Sequence, residues 1–258
     1  MNIKAAFFDI DNTLYDWKNG NWPASGIEAV KALKKKGVKV FVCTARPYQS
    51  LKEFGVFKLG IPWDGYIASA GGIAYSNGKY VMKVLMKVED TKTLIKVAKD
   101  NGLTMELVTP KTRYLIAPKN KYLTNYYGTY SDSTPPVRRY RGGEVTGALL
   151  FAPAEYDQLF FDKLPNLAYY RFHECGVDVM PELHKKGNAI RAILEEYGIK
   201  KEEAISFGDD LQDICMGESS YLVCLGNGRE EVKKAADYVT DEIWNDGVKN
   251  ALVHLGLL

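Results

Sequence analysis

Short apolar runs that stop abruptly at acidic or hydroxyl residues mark both ends of this 258-residue chain. Ala5–Ala6–Phe7–Phe8 stops at Asp9, Val38 to Cys43 stops at Thr44, and Ala204 to Phe207 stops at Gly208–Asp209. An unbroken apolar run of this length suits a strand covered on both faces, as in a parallel sheet. Helical patterns separate these runs. Ser25 with Glu28 three residues on predicts a capping box. Ile27, Val30 and Leu33 share a face, Lys34, Lys35 and Lys36 fill the last turn, and Gly37 ends it. Another short helix is expected after Pro47, and a third strand over Gly65–Ser69. The rhythm returns with a helix over Gly187–Tyr197, a strand over Tyr221–Leu225, and helices near Glu230–Ala236 and Val248–Leu255. Alternating strands and helices predict an α/β fold: a doubly wound, mostly parallel, Rossmann-like sheet.

The middle of the chain departs from that rhythm. Tyr80–Lys87, Arg113–Ala117, Gly147–Phe151, Tyr169–Phe172 and Val177–Met180 read as strands, several of them alternating. Helices are expected at Thr91–Asn101, Asn120–Tyr127 and Ala154–Leu164. Ser131–Gly143, with Pro135, Pro136 and Gly142–Gly143, reads as a long loop. The expected organisation is a discontinuous core, residues 1–78 and 184–258, with an α+β cap inserted over residues 79–183.

Composition narrows the function classes. Hydrophobic residues are 46% and charged residues 26%, as in an ordinary globular protein. A formal charge of +2 gives little support for a strongly electrostatic nucleic-acid binder. No apolar run approaches the roughly 18 residues that span a bilayer. No leader pattern opens the chain, and Cys43, Cys175, Cys215 and Cys224 form no C-x-x-C pair. A cytoplasmic protein with reduced thiols is the expectation.

The residues able to carry chemistry sit at the expected strand and helix ends. Asp9 and Asp11 lie where open α/β sheets bind ligands. Like charges held close together repel, and a magnesium ion is one remedy; a plain polar turn is the other reading. Thr44 and Arg46 offer a hydroxyl and a guanidinium to phosphate oxygens, or a helix cap. Lys185 and Lys186 open a helix, where an anion is favoured, although a solvated basic turn reads the same way. Gly208–Asp209–Asp210–Leu211–Gln212–Asp213 packs three carboxylates into five positions. Gly226–Asn227–Gly228 lacks the third glycine of a dinucleotide fingerprint, since Glu231 stands there. The histidines His173, His184 and His254 are scattered. The tyrosines Tyr122, Tyr126, Tyr127 and Tyr130 read as packing.

Taken in order, these segments resemble the haloacid dehalogenase-like hydrolase superfamily. Phe7–Leu14, with Asp9–Ile10–Asp11–Asn12–Thr13 at its heart, is similar to its first motif and Val42–Cys43–Thr44–Ala45–Arg46 to its second. Lys186–Gly187–Asn188–Ala189 resembles the third and Gly208–Asp213 the fourth. The tail from Gly226 through Thr240 to Asp246–Gly247–Val248 resembles the Cof-type sugar-phosphatase branch, as does an insert placed between the second and third motifs.

The resemblance implies a phosphatase acting on small phosphorylated metabolites, sugar phosphates first, through an aspartyl-phosphate. It implies Asp9 as nucleophile, Asp11 as general acid and base, and Thr44, Lys186 and Arg46 as phosphate-binding groups. Asp9, the backbone carbonyl of Asp11, and Asp209 would bind magnesium, with Asp213 and Gln212 supporting. In the cap, Arg138, Arg139 and Arg141 are candidate substrate contacts. No nucleic-acid or membrane partner is expected, and the chain is expected to be a monomer or weak dimer. Two positions depart from the family pattern: Gln212 stands where Asn is usual, and Ser69–Ala70–Gly71 stands in place of Asn-Gly-Ala. The alternatives are a phosphomutase-like phosphotransferase, whose cap would usually lie between the first two motifs, and a non-catalytic regulatory or binding protein.

Overall fold

The computed structural model describes residues 1–117, 119–129 and 134–258; Tyr130 and the start of the expected 131–143 loop fall outside them. In chain order the described elements are β1 (Ala5–Phe8), α1 (Ala24–Lys35), β2 (Lys39–Cys43), α2 (Tyr48–Glu53), β3 (Gly65–Ala68), β4 (Ile73–Ser76) and β5 (Lys79–Lys83). There follow α3 (Val88–Asp100), β6 (Thr104–Val108), β7 (Arg113–Leu115), α4 (Lys121–Thr129), β8 (Gly147–Phe151), α5 (Asp157–Lys163), β9 (Leu167–His173) and β10 (Gly176–Pro181). The last part holds α6 (Lys186–Tyr197), β11 (Ala204–Gly208), a 3₁₀ helix over Leu211–Glu218, β12 (Tyr221–Cys224), α7 (Glu230–Ala235), β13 (Tyr238–Val239) and α8 (Gly247–His254).

These elements form two compact units: Met1–Ala45 with Phe57–Met82 and Lys185–Leu258, and Arg46–Val56 with Lys83–His184. The expected core, residues 1–78 and 184–258, takes in residues 46–56, which here group with the second unit.

The first unit is built on an eight-stranded sheet in the order β13-β12-β11-β1-β2-β3-β4-β5. From β13 to β3 neighbouring strands pair parallel, and β4 runs antiparallel to β3. β1 is central because its four residues are fully apolar and fully buried, so both of its faces are covered. Phe7 stacks on Phe41 at 5.0 Å and, on the opposite face, Phe8 stacks on Phe207 at 4.9 Å. Ala5, Phe7, Phe41, Cys43 and Ile67 pack with Ile190, Ile193 and Leu194 of α6, which turns its apolar stripe to the sheet. α1 connects the parallel neighbours β1 and β2, a crossover of the kind that is right-handed.

The second unit has a five-stranded antiparallel sheet, β7-β6-β8-β10-β9. Leu94, Ile95 and Ala98 of α3 and Phe160 of α5 cover one face, packed on Met105, Leu107, Leu150 and Val179. Leu123 of α4 packs with the opposite parity, Leu115, Leu149 and Phe151.

Several local expectations change. The strand expected over Tyr80–Lys87 ends at Lys83 and joins the first sheet. Its neighbour β4 is not signalled by periodicity; an Asn77–Gly78 turn with φ of 54° and 77° creates it. Strand β6 also escapes the pattern, because Glu106 interrupts its apolar run yet is buried. Ser25 is not the cap of α1. Pro23 holds that place, with its φ of −56° already near the helical value, and Ser25 bonds the Asp246 carboxylate.

Gly187 sits where α6 touches the 211–218 helix. A Cβ there would fall inside the carbonyl oxygen of Cys215. Gly187→Ala is expected to cost about 1–3 kcal/mol by overpacking. Urea denaturation should show a lower midpoint with an unchanged slope; an unchanged midpoint would mean the contact relaxes at no cost.

Candidate active site

The ends of β1, β2 and β11 lie side by side. Register pairs Phe8 with Val42 and with Phe207, so the residues that follow emerge at one edge of the sheet. Asp9 and Asp11 follow β1, Thr44 follows β2, and Asp209 follows β11. Here the chain leaves β1 toward β2 on one side and the β11–β12 pair lies on the other, the switch point at which α/β sheets take ligands.

Lys186, at the first turn of α6, points into this edge. Its Nζ donates to Asp9 Oδ1 at 2.9 Å and to Asp213 Oδ1 at 2.5 Å. Asp213 Oδ2 accepts the backbone N–H groups of Asp209 at 2.9 Å and Asp210 at 3.1 Å. Thr13 Oγ1 donates to Asp209 Oδ1 at 3.0 Å. All four charged groups are buried: Asp9 is 6% exposed, Asp209 7%, Lys186 3% and Asp213 0%.

Three carboxylates against one ammonium leave an excess of negative charge, and the acidities follow. Burial pushes the Asp9 carboxyl up to about 7; Lys186 opposes that rise, while Asp213 and Asp11 add to it. Burial, then Asp213 and Asp9, hold Asp209 well above the usual carboxylate range. For Lys186 burial acts downward, but Asp213 and Asp9 outweigh it and keep the ammonium charged far above its ordinary range. Oxygens of Asp9, Asp209 and Asp213 lie within 4.8 Å of one another, so the donor set fits a hard divalent cation. Both Asp213 oxygens are already engaged, by Lys186 and two amides. Asp9 and Asp209 are the side chains left with lone pairs to offer.

The other expected residues fall in different places. Thr44 is fully buried, and its backbone bonds Ile67 and Ala70. Gln212 is half-buried, with Oε1 buried and unpartnered. Ser69 and Ala70 both take left-handed φ, 52° and 53°, where glycine or asparagine would be easier. Arg46 belongs to the second unit, where it bonds Ser50 Oγ at 3.1 Å and lies over the Phe54 ring. Arg138, Arg139 and Arg141 also lie in that unit. Arg139 and Arg141 line a cleft of about 390 Å³ with Val88, Lys92, Ile95 and Lys99. The edge also uses residues that sequence reasoning passed over. Thr13 holds Asp209, and Asn227 donates from Nδ2 to the Asn12 carbonyl at 2.8 Å. The Gly226–Asn227–Gly228 turn, set aside as a failed dinucleotide fingerprint, ties the β1 loop to the far side of the site.

The sequence pattern of haloacid dehalogenase-like hydrolases matches residues 6–252. The chain belongs to that family. As a haloacid dehalogenase-like hydrolase it is similar over its whole length to the Bacillus subtilis (strain 168) protein named "Putative phosphatase YkrA", 28% identical over 263 residues and covering 100% of both chains. The crystal structure of a hypothetical protein from Geobacillus kaustophilus HTA426 superposes with a TM-score of 0.92 at 30% identity, covering 99% of this chain and 100% of that one. The sugar phosphatase BT4131, described as subclass IIB of the same superfamily, superposes with a TM-score of 0.83 at 30% identity, with the same coverage. Among the described residues no helix is long and apolar enough to cross a membrane.

The raised acidity of Asp9 sets a pH dependence. In the folded chain its carboxyl still holds a proton between about 4 and about 7, where the unfolded chain has lost it. The folded state therefore binds more protons, and stability must fall as pH rises through that window. With chelator present, the melting temperature is expected to drop from about pH 5 to about pH 8, and Asp9→Asn should flatten the drop. Asp178, held up to about 7 by burial and then by Glu106, contributes equally to both proteins and cancels in the difference. Parallel curves for wild type and variant would refute the assignment.

Proposed function

We propose that this hydrolase is a magnesium-dependent phosphatase of small phosphorylated metabolites, with sugar phosphates the first class to test. The observation that carries the reading is the Lys186 ammonium, shared between Asp9 and Asp213 in a buried edge with surplus negative charge. That arrangement orients one carboxylate as a nucleophile and keeps a cation beside it for the phosphoryl oxygens. Asp9 would take the phosphoryl group, splitting hydrolysis into two easier steps. Asp11 would protonate the leaving oxygen and then deprotonate the attacking water. The Thr44 hydroxyl, with Lys186 and Arg46, would hold phosphoryl oxygens.

Asp9, the backbone carbonyl of Asp11, and Asp209 would hold magnesium, with Asp213 and Gln212 in support. When bound, the ion would neutralise the clustered carboxylates and the oxygens of the transferring group. Arg138, Arg139 and Arg141 would favour substrates with a second anionic group; Arg139 and Arg141 are exposed and make no ion pair among the described residues. The sugar-phosphate class is supported by the likeness to BT4131. We propose a cytoplasmic location and a monomer or weak dimer. A phosphomutase usually carries its cap between the first two motifs; here the long insert follows the second.

The test is hydrolysis of p-nitrophenyl phosphate and a panel of sugar phosphates. Turnover is expected with magnesium, to vanish with chelator, and to return poorly with calcium, whose larger and less regular shell disturbs in-line geometry. Mass spectrometry of quenched enzyme should find the phosphoryl group on Asp9, and Asp9→Asn should give neither turnover nor label. Binding of sugar phosphates without turnover would favour the non-catalytic alternative. Full activity in chelator would remove the metal from the scheme.

A further inference from the structure

Asp11 is gripped from outside the charged cluster. Trp17 Nε1 donates to Asp11 Oδ1 at 2.7 Å. The loop that delivers this indole is pinned throughout. Asn12 turns it with a left-handed φ of 52°. The Ile10 carbonyl accepts the N–H groups of Thr13, Leu14 and Tyr15, and Asn227 holds the Asn12 carbonyl. Further along, the buried Asp16 carboxylate accepts Lys18 N, Asn19 N and Asn19 Nδ2 at 2.9, 3.1 and 2.7 Å. The Trp17 ring packs edge-on against Tyr15 at 5.1 Å, and Tyr15 meets Trp22 at 5.0 Å. Packing therefore aims the indole before any substrate arrives.

An indole N–H can donate but never accept. The carbonyl oxygen of a carboxyl group is a better acceptor than its hydroxyl oxygen, so the indole favours Oδ1 as the unprotonated one. When Asp11 carries a proton, Oδ2 is then its preferred place. We infer that Trp17 is a positioning residue, which decides which oxygen of Asp11 stores and delivers the proton. The inference rests on the reading of Asp11 as the acid and base. In the first half-reaction an Asp9 oxygen bonds phosphorus as the bond to the leaving oxygen breaks, and the Oδ2 proton passes to that leaving oxygen. In the second, a water oxygen bonds phosphorus, the bond to Asp9 breaks, and one water proton returns to Oδ2. Oδ1 stays on the indole through both steps, so the carboxylate need not rotate between them.

The experiment uses Trp17→Phe, which keeps a ring against Tyr15 and removes the donor. A second variant replaces Trp17 with benzothienylalanine, in which sulfur takes the place of the N–H at nearly unchanged shape; it serves if the phenylalanine variant folds poorly. Phosphoryl transfer to Asp9 is followed by rapid quench with glucose 6-phosphate, whose alkoxide needs the acid, and with p-nitrophenyl phosphate, whose phenolate does not. Transfer from the sugar phosphate is expected to slow about 10–100-fold with little change in KM, the scale of loss for a misplaced catalytic group. Transfer from the aryl phosphate should stay within about twofold, while the later hydrolysis slows and phosphoenzyme accumulates. Equal slowing with both substrates, or none with either, overturns the role of Trp17. Asp11→Asn separates the two readings. If that variant slows the sugar phosphate far more than the aryl phosphate, as expected, and Trp17→Phe does not, only Trp17 is misassigned. If Asp11→Asn turns over both substrates at the wild-type rate, the reading of Asp11 itself fails.

Discussion

Everything at the sheet edge depends on one buried ammonium. Lys186 reaches Asp9 and Asp213 at once, and neither carboxylate could stay buried beside the other without it. Burying charges costs several kcal/mol per ion unless geometry and further hydrogen bonds repay it. Here the repayment is explicit. Asp213 accepts three hydrogen bonds across its two oxygens, from Lys186 and the amides of Asp209 and Asp210, and Asp209 has the Thr13 hydroxyl. The surplus negative charge that remains suits the edge to a divalent cation.

The backbone is shaped so that this contact can form. A Cβ at Gly208 would lie 2.5 Å from the Asp213 carboxyl, and one at Gly71 would overlap the Lys185 carbonyl. Glycine at these positions lets three loops from distant parts of the chain converge on a single lysine. The left-handed Ser69 and Ala70 are strain accepted at the same place, where Ala70 N also bonds the Thr44 carbonyl. The site is thus a packing arrangement first, with the charges held inside it.

A second layer fixes orientation rather than charge. The loop after Asp11 is tied at one end by Asn227 and at the other by the Asp16 turn, and its aromatic rings support one another. Asn227 also accepts the Ile243 N–H at 2.8 Å, so residues near the C-terminus brace a loop near the N-terminus. Such ties explain why a glycine-flanked asparagine that fails as a nucleotide fingerprint still has a definite place.

Much of the core was legible in the residue order, because strands buried on both faces must be continuously apolar and must end where charge begins. Ala5–Phe8 with Asp9, and Ala204–Gly208 with Asp209, declare strand, burial and site in one short stretch. Local signals failed where a distant partner outbid them. Ser25 looks like a cap, but Asp246 takes its hydroxyl. Glu106 breaks the apolar run of β6, but Tyr127 and Arg113 satisfy it inside the second unit. Tyr80–Lys87 carries no mark of which sheet it will join. The sequence by itself determined the order of strands and helices and the kind of charge at each strand end, since burial and periodicity act over a few residues. Only the tertiary structure decided that Lys186 would bridge Asp9 and Asp213, that Thr13 would hold Asp209, and that Trp17 would aim Asp11. Those contacts join residues up to 196 positions apart, as Thr13 and Asp209 are, and no local preference encodes a distance closed only by folding.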